Sequence, residues 1–108
     1  MNADRRKTIE GVIKTLRSLV PNPIDRSKIK DGMEGAVNAL KEVESDETEA
    51  FENLSDGLQS HRQDSFDEVI AQLEEAIECI ESLDANEDDE GDVREGIADC
   101  IEILETIN

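Results

Sequence analysis

The chain has 108 residues, with 29 Asp/Glu against 11 Lys/Arg, a net charge of −18, and two aromatic side chains, Phe51 and Phe66. This length allows one domain with a modest core, and a field so negative repels nucleic acid and anionic membranes. Two Phe cannot build a base-stacking platform, and no run approaches the roughly 20 apolar residues that a membrane-spanning helix needs.

Apolar residues recur at helical spacing, and no segment alternates as a strand does. The first predicted helix carries Ile9, Val12, Ile13, Leu16, Leu19 and Val20. Glu10, Lys14 and Arg17 interrupt this stretch, so it is no signal-peptide core, and a cytoplasmic location is expected. Pro21 and Pro23 end the helix, and Asp25 or Ser27 caps the next.

The second helix carries Ile29, Met33, Ala36, Leu40, Val43, Glu47, Ala50 and Leu54 at alternating gaps of four and three. That is a heptad seam with one acid in it. The helix either runs to about Leu54 or breaks near Ser45–Thr48. Gly32 and Gly35 lie inside it, and close helix approach would explain both, since each weakens an isolated helix by about 1 kcal/mol.

The stretch from Gly57 to Gln63 reads as a loop. Ser65, Phe66, Asp67 and Glu68 then form a capping box. The third helix is expected to bury Phe66, Val69, Ile70, Leu73, Ala76, Ile77, Ile80 and Leu83. Asp84 to Gly91 is polar and helix-breaking. The fourth helix shows Val93, Ile97, Cys100, Ile101, Leu104 and Ile107. Segments 76–83 and 97–104 match at an offset of 21 residues, three heptads. The two cysteines, Cys79 and Cys100, fit no zinc spacing and no CxxC motif, and read as small apolar core residues.

The expected fold is therefore all-α: helical hairpins making a bundle of about four helices, with a long second helix, in a single domain over 1–108. The core seam is Ile29, Met33, Leu40, Val43 and Leu54. Either two short helices or a second copy covers it. So little apolar surface favours a homodimer that shares one core.

Charge is sorted along the chain. Residues 1–41 carry nine Lys/Arg and five Asp/Glu; residues 42–108 carry two Lys/Arg and twenty-four Asp/Glu. The basic part comprises Arg5, Arg6, Lys7, Lys14, Arg17, Arg26, Lys28 and Lys30, and is expected to meet acids of its own chain or of a dimer mate. Several charges oppose the helix dipole: Arg5, Arg6 and Lys7 open the first helix, Glu78, Glu81 and Asp84 close the third, and Glu102 and Glu105 close the fourth. Glu74 with Glu78 and Glu95 with Asp99 are like-charge pairs one turn apart, each unfavourable by a few tenths of a kcal/mol. Rules broken repeatedly in one direction point to a surface kept for function.

One loop suggests a metal. Asp84, Asn86, Asp88, Asp92 and Glu95 fall at positions 1, 3, 5, 9 and 12 of an EF-hand calcium loop. The match departs from the pattern at Asp89, where the turn needs glycine, and at Gly91, where an apolar residue is usual. No cofactor is expected. His61 is the only histidine. Ser60 and Ser65 are nearby, but serine is ordinary in loops and a catalytic set needs a nucleophile together with an orienting acid. His61 therefore reads as an exposed loop residue, and no enzyme is expected.

Arg5-Arg6-Lys7 followed by Ile9, Val12, Ile13 and Leu16, the Glu-rich second helix, the segment Asn53–Ser60 and Leu73-Glu74-Glu75-Ala76-Ile77 together resemble a loose group of small acidic helical proteins of phages and prophages. Ser55 stands where that group often has proline. The resemblance implies a phage setting, hence the host bacterial cytoplasm, and no activity. In that setting the acids suggest a DNA mimic: an anti-defence inhibitor that engages a basic, nucleic-acid-binding host protein and no nucleic acid itself. Its candidate contacts are Glu74, Glu75, Glu78, Glu81, Glu87, Asp88, Asp89, Glu90, Asp99 and Glu102. The alternative is a structural or adaptor dimer in which acidity serves only solubility.

Overall fold

The computed structural model describes residues 2–20, 25–83 and 89–107. They form four helices: α1 (Ala3–Ser18), α2 (Arg26–Glu52), α3 (Asp56–Glu81) and α4 (Glu90–Glu105). No strand occurs among the described residues. Asn2 caps α1 by accepting from the Arg5 amide at 2.9 Å, and Asp25 caps α2 by accepting from the Ser27 and Lys28 amides. Each cap satisfies donors that the first helical turn leaves without partners.

Helix α2 is continuous through Ser45–Thr48. The stretch read as a loop, Gly57 to Gln63, is instead helical, and Ser65 lies inside α3 rather than at its cap. The reason sits at the turn. Ser55 takes the extended N-cap backbone, and Gln59 turns back so that its Nε2 donates to the carbonyls of Phe51, Glu52 and Leu54 at 3.1–3.3 Å. Phe51 and Glu52 end α2, where a helix leaves carbonyls short of intrahelical donors, and Leu54 lies in the turn that follows. One side chain of α3 therefore closes α2 and fixes the start of its own helix.

Each helix packs against its two sequence or ring neighbours: α1 on α2, α2 on α3, α3 on α4, and α4 on α1. No Cα atoms of the diagonal pairs come within 8 Å of each other, so the helices stand at the corners of a square. Leu19 packs on Gly32 at one end of the α1–α2 pair and Arg5 bonds Glu47 at the other, which makes that pair antiparallel. The core runs along the axis, with Ile9, Val12 and Leu16 from α1, Ile29, Met33, Ala36, Leu40 and Val43 from α2, Leu73, Ala76, Ile77 and Ile80 from α3, and Val93, Ile97, Cys100 and Leu104 from α4. The seam residues Ile29, Met33, Leu40 and Val43 are thus buried by the chain's own helices. Leu54, the last of the seam, is half-buried beyond the bundle.

The helices are unequal. Those of 27 and 26 residues, α2 and α3, reach about 40 Å, while the two of 16 residues reach about 24 Å. The molecule is accordingly a rod of 52 × 19 × 17 Å, with the α2–α3 hairpin projecting past its neighbours. From Glu44 to Gln72 the one buried residue is Glu47.

The two interior glycines of α2 differ. A Cβ at Gly32 would press on the Leu19 methyls, whereas one at Gly35 meets nothing within 4 Å. Close approach accounts for Gly32 and not for Gly35, whose presence nothing in the structure explains. In urea unfolding, Gly35→Ala is expected to stabilise the protein by about 0.5–1 kcal/mol and Gly32→Ala to gain less. Leu40→Ala, at a site with no exposure, is expected to destabilise by about 2–5 kcal/mol in the same assay.

Candidate functional site: an acidic outer face and a notch at the hairpin tip

Helices α3 and α4 turn their apolar stripes inward, so their acids are left outside. Glu74, Glu75, Glu78 and Glu81 on α3, and Asp89, Glu90, Asp99 and Glu102 at and along α4, are all exposed. Glu87 and Asp88 lie outside the described residues. Two of these acids have cationic partners: Lys41 Nζ is 3.4 Å from Glu81, and Arg94 is 3.8 Å from Glu90 one turn away. Glu74 instead lies near another acid. Partial burial first, and then the Glu74 charge, push the Glu44 carboxyl above its ordinary value, and Lys41 only partly offsets them.

In α3 and α4 dipole complementarity fails at the C-terminal ends rather than at the starts, since α3 opens with Asp56 and α4 with Glu90 and Asp92, as the dipole favours. Helices α2, α3 and α4 have no basic residue in their last turns. Helix α1 begins at Ala3, which puts Asp4 in its first turn beside Arg5 and Arg6, so the opening bases oppose the dipole there, while Arg17 in its last turn accords with it. The basic N-terminal part also meets acids of its own chain. Arg5 Nε lies 2.5 Å from Glu47 Oε1, Arg17 bonds Glu105, and Lys41 bonds Glu81. Glu47 is the acid of the heptad seam. At 8% exposure it needs a partner, because an unpaired buried charge is strongly unfavourable. Arg5 supplies it from the facing helix.

The projecting hairpin forms a second feature. The Phe51 and Phe66 rings stack at 4.1 Å between centroids and 10° between planes. They line an open notch of 530 Å³ with Arg5, Glu47, Leu54 and Arg62. The sequence held one clue to this site: its only two aromatic residues lie either side of the α2–α3 turn. His61, Ser60 and Ser65 are exposed on the outer part of α3, and His61 does not line the notch.

The calcium-loop reading falls mostly outside the described residues, as Asp84, Asn86 and Asp88 do. Asp92 and Glu95 are exposed on α4. Among the described residues no three His, Cys, Asp or Glu side chains group to hold a metal ion.

Comparison with protein-family models, with curated proteins and with solved structures finds no match to the chain.

Two measurements probe this electrostatic arrangement. Arg5→Met leaves Glu47 buried without its cation and is expected to lower stability by roughly 1–3 kcal/mol in urea unfolding. Glu44 holds its proton to higher pH folded than unfolded. Its contribution to stability is therefore greatest at low pH and falls as pH rises from its ordinary 4.5 through the raised value. Glu44→Gln is expected to flatten that part of the pH dependence.

Proposed function

We propose that the protein is a non-enzymatic binding protein whose acidic α3–α4 face engages the basic, nucleic-acid-binding surface of another protein. The observation that carries this reading is the exposure of Glu75, Glu78, Asp99 and Glu102 along a slender rod, with no cation paired to any of them among the described residues. A DNA duplex as long as the 52 Å rod carries roughly 30 phosphate charges. The chain has 29 carboxylates and a net charge of −18, a density of the same order. Carboxylates so placed can enter a groove built for phosphates and recruit the Lys and Arg that line it. The resemblance to phage proteins supplies a setting, the bacterial cytoplasm, and a class of target, a nucleic-acid-binding defence or regulatory protein. No described helix is long and apolar enough to cross a membrane.

The second reading, an adaptor that works as a homodimer, takes its support from the tip rather than the seam. The seam is covered within one copy, while Leu58 is 46% exposed and the Phe51–Phe66 notch is open.

Capture from bacterial lysate separates the two. The wild-type protein is expected to retain a nucleic-acid-binding protein that added duplex DNA displaces and high salt releases. A variant carrying Glu75→Gln, Glu78→Gln, Asp99→Asn and Glu102→Gln is expected to keep its helicity and to lose that partner. Capture unchanged by DNA and by the four substitutions would overturn the mimic reading.

A further inference from the structure

The 21-residue repeat brings its two cysteines face to face. Cys79 on α3 and Cys100 on α4 are both free thiols, and their Sγ atoms lie 2.7 Å apart. Small residues permit this approach. A Cβ at Gly96 would strike the Leu83 side chain, and Ala76, one turn from Cys79, is buried. The Cys79 sulfur is also 4.0 Å from the Gly96 carbonyl. A disulfide demands that two side chains point at each other from closely spaced backbones, and this hairpin holds its sulfurs so before any bond exists. Apolar packing alone does not require two sulfurs to meet.

We infer that Cys79 and Cys100 form an intramolecular disulfide that staples α3 to α4, made by exchange with small disulfides of the oxidised-glutathione class. The two cysteines differ in access: Cys100 is fully buried and Cys79 is half-buried. Cys79 therefore reacts first. Its thiol loses a proton, the thiolate attacks one sulfur of the small disulfide, and one small thiolate leaves and takes up a proton. Cys100 then loses its proton and attacks Cys79 Sγ, expelling the second small thiolate, which is protonated in turn. Two protein thiols are oxidised to one disulfide, and one small disulfide is reduced to two thiols. Burial first, then the Cys79 hydrogen bond and the charges of Cys79 and Asp99, raise the Cys100 thiol well above its ordinary value. Of these causes, burial and Asp99 persist once Cys79 carries the adduct, so the closing attack, which needs the Cys100 thiolate, speeds up as pH rises.

The bond would join positions 21 residues apart and restrict the unfolded chain. It leaves the acids of α3 and α4 on the surface and fixes the two helices that carry them. This holds whichever partner the acidic face takes.

The test uses the full-length folded protein incubated with oxidised glutathione, followed by intact mass and thiol count in denaturant. The expected product is a monomer lighter by two hydrogens, with no free thiol, a Cys79–Cys100 cross-linked peptide, and a melting temperature raised by roughly 10 °C that reduction reverses. Cys100→Ala is expected to stop at the glutathione adduct on Cys79, and folded Cys79→Ala to remain unmodified. Retention of both thiols, a stable adduct on wild-type Cys79, or cross-linking only between copies would overturn the inference. The wild-type mass decides the matter even if a variant fails to fold.

Discussion

Everything in this molecule depends on one narrow apolar core drawn from all four helices. Leu16, Ile29, Leu40, Leu73, Ile80, Ile97 and Leu104 are almost completely removed from water. They must hold together a chain that carries −18 charges. Hydrophobic burial is proportional to apolar area, and here that area lies in the part of the rod where α1 and α4 cover the hairpin of α2 and α3. At its edge the buried Arg5–Glu47 ion pair ties α1 to α2, and beyond it the hairpin continues with a stacked Phe pair and a Gln59 clamp on the end of α2.

The surface works against that core. Acids on α3 and α4 lie one turn apart, near helix ends that favour cations, with two of the candidate contacts neutralised by Lys41 and Arg94. Each unfavourable placement is small, a few tenths of a kcal/mol, but they all act in one direction. The N-terminal part behaves differently. There, α1 has an acid at its start and a base at its end, and its Arg5 and Arg17 find carboxylates across the bundle. Helices α3 and α4 also open with acids, Asp56 and then Glu90 and Asp92, but neither has a base in its last turn, so it is at their C-terminal ends that their charges oppose the dipole.

Much of the fold was legible because helical periodicity is a local property that tertiary packing reinforces. The stripes of α1, α2 and α4, and the lower half of α3, point inward as their spacing requires. What could not be read depended on contacts between elements. The segment 57–63 has loop-like residues, yet Gln59 reaches back to three carbonyls at and just past the end of α2 and the chain stays helical. Gly32 and Gly35 are indistinguishable in sequence, and only Leu19 separates them. Glu47 interrupts a seam for no visible reason until Arg5 is seen opposite it. The meeting of Cys79 and Cys100 needed the register of α3 against α4. At the candidate site, the exposure of the acids followed directly from the apolar stripe, while the ion pairs of Glu81 and Glu90 and the notch at the tip did not.

The most direct measurement is the urea-unfolding free energy of the reduced protein as sodium chloride rises from about 10 mM to 1 M, where the screening length falls from roughly 30 Å to 3 Å. If surface repulsion opposes the core, stability rises with salt and levels off once the charges are screened. A stability that falls with salt would mean that ion pairs such as Arg17–Glu105 and Lys41–Glu81 outweigh the repulsion. The acids would then help hold the fold together, and the view that they are kept at the expense of stability would be contradicted.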